Sequence, residues 1–219
     1  MIKGNNMTTK LIIVRHGNTF DKGQVPVRVG LRTDMSLSAS GREQAVVLGK
    51  YMKLSGIDPE AVFSSELRRT YETADIALKE VGIDRRVERL AIFNEVDYGV
   101  DEGKTEEELV GRIGEKALDL WNTVGIVPEG WIFDVDVTIE NWRKFASMVE
   151  DRYIDRTVMV FTSNGIARFA PYITGDFEKF SKKFDIKIST GALGIFEKTN
   201  GEQNWSVVSW NLKPSNHLV

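Results

Sequence analysis

Arg15, His16 and Gly17 are the residues in this chain whose types and order could carry out a reaction. They follow directly after a run of four apolar residues, 11–14. An arginine at the end of a buried strand is costly unless it meets an anion, and a neutral imidazole can act as a nucleophile. Glycine lets a ligand approach the backbone closely. Together the three residues predict a phosphate-binding site with a histidine nucleophile.

A single histidine is more often a structural group, with both ring nitrogens satisfied in the core, than a nucleophile. The chain has two histidines, and the other, His217, lies within the last three residues, where order is often poor. Arg15 beside His16 also needs an anionic partner. These two observations favour His16 as the reactive group.

The elements that position His16 follow from the apolar pattern. Four apolar residues in a row, three of them β-branched, predict a strand that is covered on both faces, as in a parallel sheet. Ligand groups in such sheets gather at the carboxyl ends of the strands. Further strands are predicted at 61–64 and 157–161, and a hairpin is predicted from runs 192–197 and 205–211 around Asn200-Gly201.

Helices are predicted between these strands. Ser38 or Ser40 is expected to cap the first helix, and Ser40 with Glu43 could form a capping box. Ser64 or Ser65 is expected to start the second, and Thr138 to cap a later helix with an aromatic buried face. The sequence therefore predicts an α/β fold with a mainly parallel, doubly wound sheet and helices on both faces.

Length and composition limit the function. The chain has 219 residues, a net charge of -3 and no cysteine, which fits a single domain over 1–219 without a basic surface for nucleic acid or membrane. No apolar run approaches the roughly 20 residues of a membrane helix, and residues 1–8 resemble a loose tail more than a signal peptide. A cytoplasmic location is expected.

Three ordered motifs resemble those of the histidine phosphatase superfamily, which is also called phosphoglycerate mutase-like. They are Arg15-His16-Gly17 after the apolar strand, Leu37-Ser38-Ala39-Ser40-Gly41-Arg42-Glu43-Gln44-Ala45, and Ser64-Ser65-Glu66-Leu67-Arg68-Arg69-Thr70-Tyr71-Glu72-Thr73-Ala74. The similarity extends to Asn94-Glu95, Gly99, Glu102-Gly103 and Gly165-Ile166-Ala167-Arg168. It therefore spans nearly the whole chain.

The resemblance implies a phosphoglycerate mutase-like fold and a phosphoryl transfer that uses no metal and no cofactor. In this family, His16 would carry the phosphoryl group and Glu95 would be the acid/base carboxylate. Arg15 and Arg69 would hold the phosphate, while Arg68 is expected at the surface. At Asn164, just before Gly165, the family has a second histidine.

The surroundings of the site also follow from the resemblance. A loop after His16 is expected to bend back over the phosphate, so that Arg28 or Arg32 could touch substrate; a solvated surface loop is the alternative. Asn18, Asn164 and Gly165 are the other expected substrate contacts. A helical insertion over about 105–135 is expected to cover part of the site.

Three functions stay open on the sequence. The first is a phosphatase for a small phosphate monoester, weakened where Asn164 replaces a charged donor. The second is a member that binds a phosphorylated ligand without catalysis. The third, a phosphoglycerate mutase, is less favoured because a longer Trp-Asn-containing signature is missing between Asn18 and Asp34. The sequence is compatible with a homodimer.

Overall fold

The structure is a computed structural model that describes residues 8–218. The strands are β1 (Thr8–Arg15), β2 (Ala61–Ser64), β3 (Val87–Arg89), β4 (Thr157–Thr162), β5 (Leu193–Thr199) and β6 (Ser206–Leu212). The α-helices are α1 (Ala39–Leu54), α2 (Arg68–Val81), α3 (Glu106–Ile113), α4 (Glu115–Val124), α5 (Val135–Arg152), α6 (Asn164–Ala167) and α7 (Phe177–Ser181). Short 3-10 turns are found at Ala91–Phe93, Gly99–Asp101, Ala170–Thr174 and Pro214–His217.

The six strands form one sheet in the order β3-β2-β4-β1-β5-β6. Strands β3, β2, β4 and β1 are parallel, whereas β5 and β6 are an antiparallel hairpin added beside β1. The mainly parallel sheet and the hairpin that the sequence predicts are therefore confirmed. Because β1 and β4 are parallel neighbours, their carboxyl ends meet at one edge of the sheet, and the backbone N–H of His16 donates to Thr162 at 3.0 Å.

Strand β1 is buried on both faces, which explains its unbroken apolar run. Side chains alternate along a strand: Leu11 and Ile13 belong to the hydrophobic cluster that includes Trp142 of α5, whereas Ile12 and Val14 pack in a second cluster with α1 and α2. The sheet is thus covered by helices on each side, and the strand that leads to His16 is packed on both faces.

The predicted helix starts agree with the structure in part. Helix α1 is capped by Ser38, one of the two predicted caps, whose side chain accepts from Gly41 N–H at 3.2 Å; the Ser40 hydroxyl contacts Asn18 and forms no capping box with Glu43. The predicted start of the second helix at Ser64 or Ser65 is wrong, because the Ser65 hydroxyl accepts from Leu67 N–H at 3.1 Å ahead of the helix, which begins at Arg68. The predicted cap at Thr138 is also wrong, because the Asp134 side chain accepts from Val137 N–H at 2.9 Å and α5 begins at Val135.

The ends of the chain and the expected insertion complete the description. Residues 1–7 of the predicted tail lie outside the described residues, and Thr8 is the first residue of β1. The segment 105–135 holds α3 and α4, followed by a non-helical stretch up to the cap of α5. Within residues 8–218, every helix is too short or too polar to cross a membrane.

Candidate active site at the carboxyl ends of β1 and β4

An open cleft of about 720 Å³ lies where β1 and β4 end. The residues that the sequence predicts for the site and that line this cleft are Arg15, His16, Asn18, Arg28, Glu95 and Asn164. They come from four separate parts of the chain, around positions 15–18, 28, 95 and 164, so the fold brings together groups up to 149 positions apart. Arg32, Arg69 and Gly165 are not among the lining residues.

The imidazole of His16 is held in one tautomer. Its Nδ1 lies 2.7 Å from the carbonyl oxygen of Gly17, which can only accept, so Nδ1 carries the proton and Nε2 keeps its lone pair. Burial, with the positive charges of Arg69 and Arg15, holds the pKa of His16 well below its ordinary value. The ring is therefore neutral and nucleophilic at physiological pH.

Gly17 permits a close approach between this turn and helix α1. A Cβ atom at position 17 would lie 2.4 Å from the carbonyl oxygen of Gly41, so no larger residue fits. The N–H of Gly17 donates to the Thr73 hydroxyl of α2 at 3.1 Å. The turn that carries His16 is consequently fixed against both helices of this layer.

Arg15 lies beside His16 as the last residue of β1. Its Nη1 donates to the carbonyl of Ile188 at 2.7 Å, whereas its buried Nε has no hydrogen-bond partner among residues 8–218. Burial lowers the pKa of Arg15, and the carboxylate of Glu95 partly opposes this shift. A guanidinium group remains charged under such conditions, so Arg15 has donors available for an anion.

Arg69 is completely buried in the first turn of α2. Its Nη1 and Nη2 donate to the carbonyls of Thr33 and Gly30 at 2.8 and 3.2 Å, and its Nε has no partner within the described part of the chain. Arg69 therefore lies beneath the 30–33 loop. The positive charge of Arg69 helps to lower the pKa of His16, so Arg69 lies near enough to act on the imidazole.

Glu95 faces the same cleft and is 7% exposed. One carboxylate oxygen accepts from Val96 N–H at 2.9 Å and the other from Gly165 N–H at 3.3 Å. A Cβ atom at position 165 would lie 2.1 Å from this carboxylate, so glycine is required there. Gly165 thus contributes by holding Glu95, although its own surface does not line the cleft.

The amide of Asn164 is oriented by a backbone contact. Its Oδ1 accepts from Ile188 N–H at 3.0 Å, and this leaves Nδ2 as the polar atom on the cleft side. The carbonyl of the same Ile188 receives the bond from Arg15. One backbone unit between α7 and β5 therefore orients both donors of the site.

Arg28 and Arg32, the two loop arginines that are predicted to contact substrate, have different surroundings. Glu102 holds the loop by accepting from Gly30 N–H at 3.0 Å and from the Thr33 hydroxyl at 2.6 Å. Arg32 forms an ion pair with Asp97 at 2.8 Å. Only Arg28 of the two lines the cleft.

Two further residues belong to the site and were not singled out from the sequence. Tyr98 lines the cleft and is 4% exposed; burial and the charge of Glu95 raise its pKa above the ordinary value. Arg168 is buried, lies 4.0 Å from the Trp121 ring centre, and donates from Nε to the Asn164 carbonyl at 3.2 Å.

The sequence carries a signal for Arg168 only. Arg168 follows Asn164 by four residues, which is one helical turn, and the two residues lie in and directly after α6. Burial lowers the pKa of Arg168 to about 10, so this side chain stays charged where its Nε donates to the Asn164 carbonyl. Tyr98 lies in a non-helical stretch, so its distance of three residues from Glu95 did not identify it.

A direct match to a family model shows the family of this chain. The model of the histidine phosphatase superfamily, branch 1, matches residues 11–213. The chain belongs to this superfamily. The resemblance seen in the sequence motifs is therefore confirmed.

A curated relative is similar over part of the chain. A 2,3-bisphosphoglycerate-dependent phosphoglycerate mutase of Streptococcus pyogenes is 28% identical over 141 residues, which is 64% of this chain. The match covers 60% of the length of that relative.

Solved structures share the fold at lower identity. A mycobacterial glucosyl-3-phosphoglycerate phosphatase has a TM-score of 0.74 at 21% identity, covering 94% of this chain and 99% of its own. A phosphoglycerate mutase from Bacillus anthracis has a TM-score of 0.76 at 18% identity, with 94% of both chains covered. At such identities these structures support the fold, and both phosphatases and mutases use it.

Proposed function

We propose that this protein is a metal-independent phosphatase that hydrolyses a small phosphate monoester through a phosphohistidine on His16. The observation that carries the proposal is the state of that ring: neutral, with Nδ1 tied to Gly17 and Nε2 left as a nucleophile beside Arg15. A structural histidine would have both nitrogens bonded within the protein. This one has a single protein partner among the described residues and lines a polar cleft.

Binding of the phosphate group is the first step of the proposed reaction. Arg15 and the Asn164 amide, both oriented by Ile188, would donate to the non-bridging oxygens. Arg69 is proposed as the second cationic ligand, because its buried Nε has no acceptor in the range 8–218. These donors are fixed before the ligand arrives, which is what stabilises charge in a transition state.

Transfer to the enzyme is the second step. Nε2 of His16 would attack phosphorus while the bond from phosphorus to the ester oxygen breaks. Glu95, in its acid form, would give its proton to that leaving oxygen. The ring then carries the phosphoryl group on Nε2 and a proton on Nδ1, and the Gly17 carbonyl stabilises this positive ring.

Hydrolysis completes the cycle. The Glu95 carboxylate would accept a proton from water as that water attacks phosphorus and the bond to Nε2 breaks. Inorganic phosphate leaves, His16 is neutral again and Glu95 is again protonated. The arginines neutralise charge throughout, so the scheme needs no metal ion.

A second candidate function is the binding of a phosphorylated ligand without turnover, and Asn164 is the observation that favours it. The family resemblance implies an imidazole at this position, which can add a full positive charge, whereas an amide stays neutral. Loss of one donor from such a site lowers the rate by about a hundredfold. A mutase activity is the third candidate, suggested by the name of the Streptococcus relative.

Trapping of the intermediate separates these candidates. The protein is incubated with an acid-labile phosphoryl donor, quenched in base, and analysed by mass spectrometry for phosphate on His16. Phosphohistidine with release of inorganic phosphate supports the phosphatase. Transfer of the group to a second organic hydroxyl supports the mutase, and tight phosphate binding without any transfer supports the binding module.

A further inference from the structure

Arg28 lines the cleft and has no role in the phosphoryl transfer described above. We propose that it binds a second anionic group on the substrate, a carboxylate or another phosphate, so that the substrate is a phosphate monoester with two anionic ends. This inference rests on the proposed phosphatase site, since it assigns that site its substrate class. The experiment below distinguishes a carboxylate from a second phosphate.

The backbone of Arg28 is fixed from both sides. Its N–H donates to the Lys104 carbonyl at 2.7 Å, and its own carbonyl accepts from Gly103 N–H at 2.9 Å. An isolated bridge joins the preceding Val27 to Thr105. The residue is thus part of a short two-stranded contact between the loop and the start of α3, and its side chain leaves from a defined point.

The guanidinium group lies against two aromatic rings, 5.3 Å from the ring centre of Tyr98 and 5.7 Å from that of Trp131. Aromatic faces hold a cation without using its hydrogen-bond donors. Within the described chain no oxygen accepts from this group, and no carboxylate lies within 4.0 Å of it. The donors of Arg28 are therefore available to a ligand.

Asp101, the carboxylate whose pKa Arg28 helps to lower, already has other hydrogen-bond donors. Arg28 contributes to lowering the pKa of Asp101, but the Asp101 oxygens accept from Arg112 and from the Trp131 ring N–H. The aspartate is 1% exposed and cannot swing out to meet Arg28 without breaking these bonds. The Arg28 guanidinium is therefore held by the rings of Tyr98 and Trp131 and not by a carboxylate. This contact orients the group and leaves its positive charge without a paired anion.

The other charged residues that line the cleft favour an anion. Lys22 and Lys104 line the same cleft as Arg28. Of the two lining carboxylates outside the reaction centre, Asp21 is tied to the backbone N–H groups of Ala39 and Ser40 at 3.2 and 3.0 Å, so it belongs to the start of α1. Lys104 lies 3.8 Å from the Glu108 carboxylate in an exposed ion pair, so among the lining residues Glu106 is the carboxylate left beside Arg28 and Lys22.

Matched substrates and variants test this inference. Phosphomonoesters of increasing chain length that end in a carboxylate or in a second phosphate are compared with the same esters ending in an uncharged hydroxyl. The ratio of kcat/KM values is measured for the wild type, Arg28→Gln, Arg28→Lys and the control Arg86→Gln, an exposed arginine between α2 and β3.

The wild type is expected to prefer one class of charged ester over its uncharged partner by about tenfold to a hundredfold, the value of a hydrogen-bonded charge. Arg28→Gln should abolish this preference while acting little on the uncharged ester, Arg28→Lys should restore part of it, and Arg86→Gln should leave it intact. Whether carboxylate or phosphate is preferred identifies the source of the charge.

Two results would overturn the inference: equal kcat/KM for charged and uncharged esters in the wild type, or an equal loss on both in Arg28→Gln, which would make Arg28 a structural support for the two rings. If no phosphohistidine forms, the same comparison is made by titration calorimetry with phosphonate analogues. A preference in affinity that Arg28→Gln removes would then support the second-anion site although the phosphatase proposal had failed.

Discussion

The carboxyl ends of β1 and β4 lie side by side in the parallel sheet, yet β1 is followed by an imidazole, His16, and β4 by an amide, Asn164, two residues after its end. His16 and Asn164 are each followed by a glycine that a larger residue could not replace without a clash. Each side chain has one polar atom tied to the backbone: Nδ1 of His16 to Gly17, and Oδ1 of Asn164 to Ile188. The free atoms, however, differ in chemistry.

This difference assigns separate chemical roles to His16 and Asn164. The free Nε2 of His16 has a lone pair and can attack phosphorus, whereas the free Nδ2 of Asn164 has two N–H groups and can only donate. Backbone bonds fix which atom faces the cleft in each case. The two ends are therefore complementary, and substitutions that make them alike or change their charge test the account.

The largest effect is expected when the two ends are made the same. His16→Asn removes the lone pair and leaves a donor, so turnover should fall by about 10⁴-fold or more, as for loss of a catalytic nucleophile. Phosphate affinity should change by less than about tenfold, because Arg15 and its Ile188 bond remain. Steady-state kinetics and phosphate titration measure the two effects. Retention of turnover in this variant would exclude His16 as the nucleophile.

A smaller loss is expected at Glu95, which is held between the two ends by Gly165 and Val96. Glu95→Gln cannot give up a proton, so turnover of alkyl phosphates should fall by about 10²- to 10⁴-fold. Aryl phosphates, whose leaving groups need less protonation, should lose far less. The ratio of kcat/KM for the two substrate classes is the measurement.

The control for Glu95→Gln is its thermal unfolding, because the amide places its own N–H groups against one of the two backbone donors. A destabilised variant would lose activity on both substrate classes by the same factor. Equal losses in a variant that unfolds like the wild type would instead remove Glu95 from the role of proton donor.

Substitutions of Asn164 are expected either to lower or to raise turnover, depending on the new side chain. Asn164→Ala should lower turnover by about a hundredfold through loss of a donor, and Asn164→His should raise it by up to about a hundredfold if the ring becomes charged. The gain should appear in kcat, since the added charge acts most strongly as negative charge shifts to the non-bridging oxygens. Single-turnover kinetics with separately measured phosphate affinity test both variants.

A contrary result at Asn164 is equally informative. If Ile188 N–H donates to Nδ1 of the new ring as it does to the present Oδ1, the imidazole stays neutral and offers only one N–H. No gain in turnover from Asn164→His, with phosphate binding unaltered, would favour the binding module over a weakened enzyme.

The smallest effect concerns the dependence of stability on pH. Because the folded pKa of His16 lies below the unfolded value, the unfolded chain binds the extra proton first as pH falls. The stability from the neutral ring is complete above about pH 6.5 and is lost between that pH and the lower folded pKa. Between pH 7 and 5, urea unfolding should show that the wild type loses up to about 2 kcal/mol more than His16→Asn. An identical loss in both proteins would mean that the His16 pKa is not lowered by folding.

The sequence predicted those parts of the fold that depend on local pattern. The apolar run before His16 specified a strand buried on both faces, and the alternating runs around Asn200-Gly201 specified the terminal hairpin. Helix caps were less predictable, because Asp134 and Thr138 are both good caps and only the geometry of the preceding chain decides between them.

The sequence predicted several of the residues that the fold brings to one cleft, but not their contacts. Nothing in the sequence distinguishes Arg28 from Arg32, four positions apart, and only the folded loop pairs Arg32 with Asp97 and leaves Arg28 against Tyr98. The orientation of Asn164 depends in the same way on Ile188, which is 24 residues away. Such long-range backbone contacts leave no local pattern in the chain.

A crystal structure with vanadate tests the central claim most directly. The account predicts vanadium bonded to Nε2 of His16, with Nδ2 of Asn164 and a guanidinium nitrogen of Arg15 donating to its equatorial oxygens. Oδ1 of Asn164 should still accept from Ile188 N–H. A vanadate that binds away from His16, an empty cleft, or an amide that has turned its oxygen toward the anion would contradict the division of work between the two strand ends.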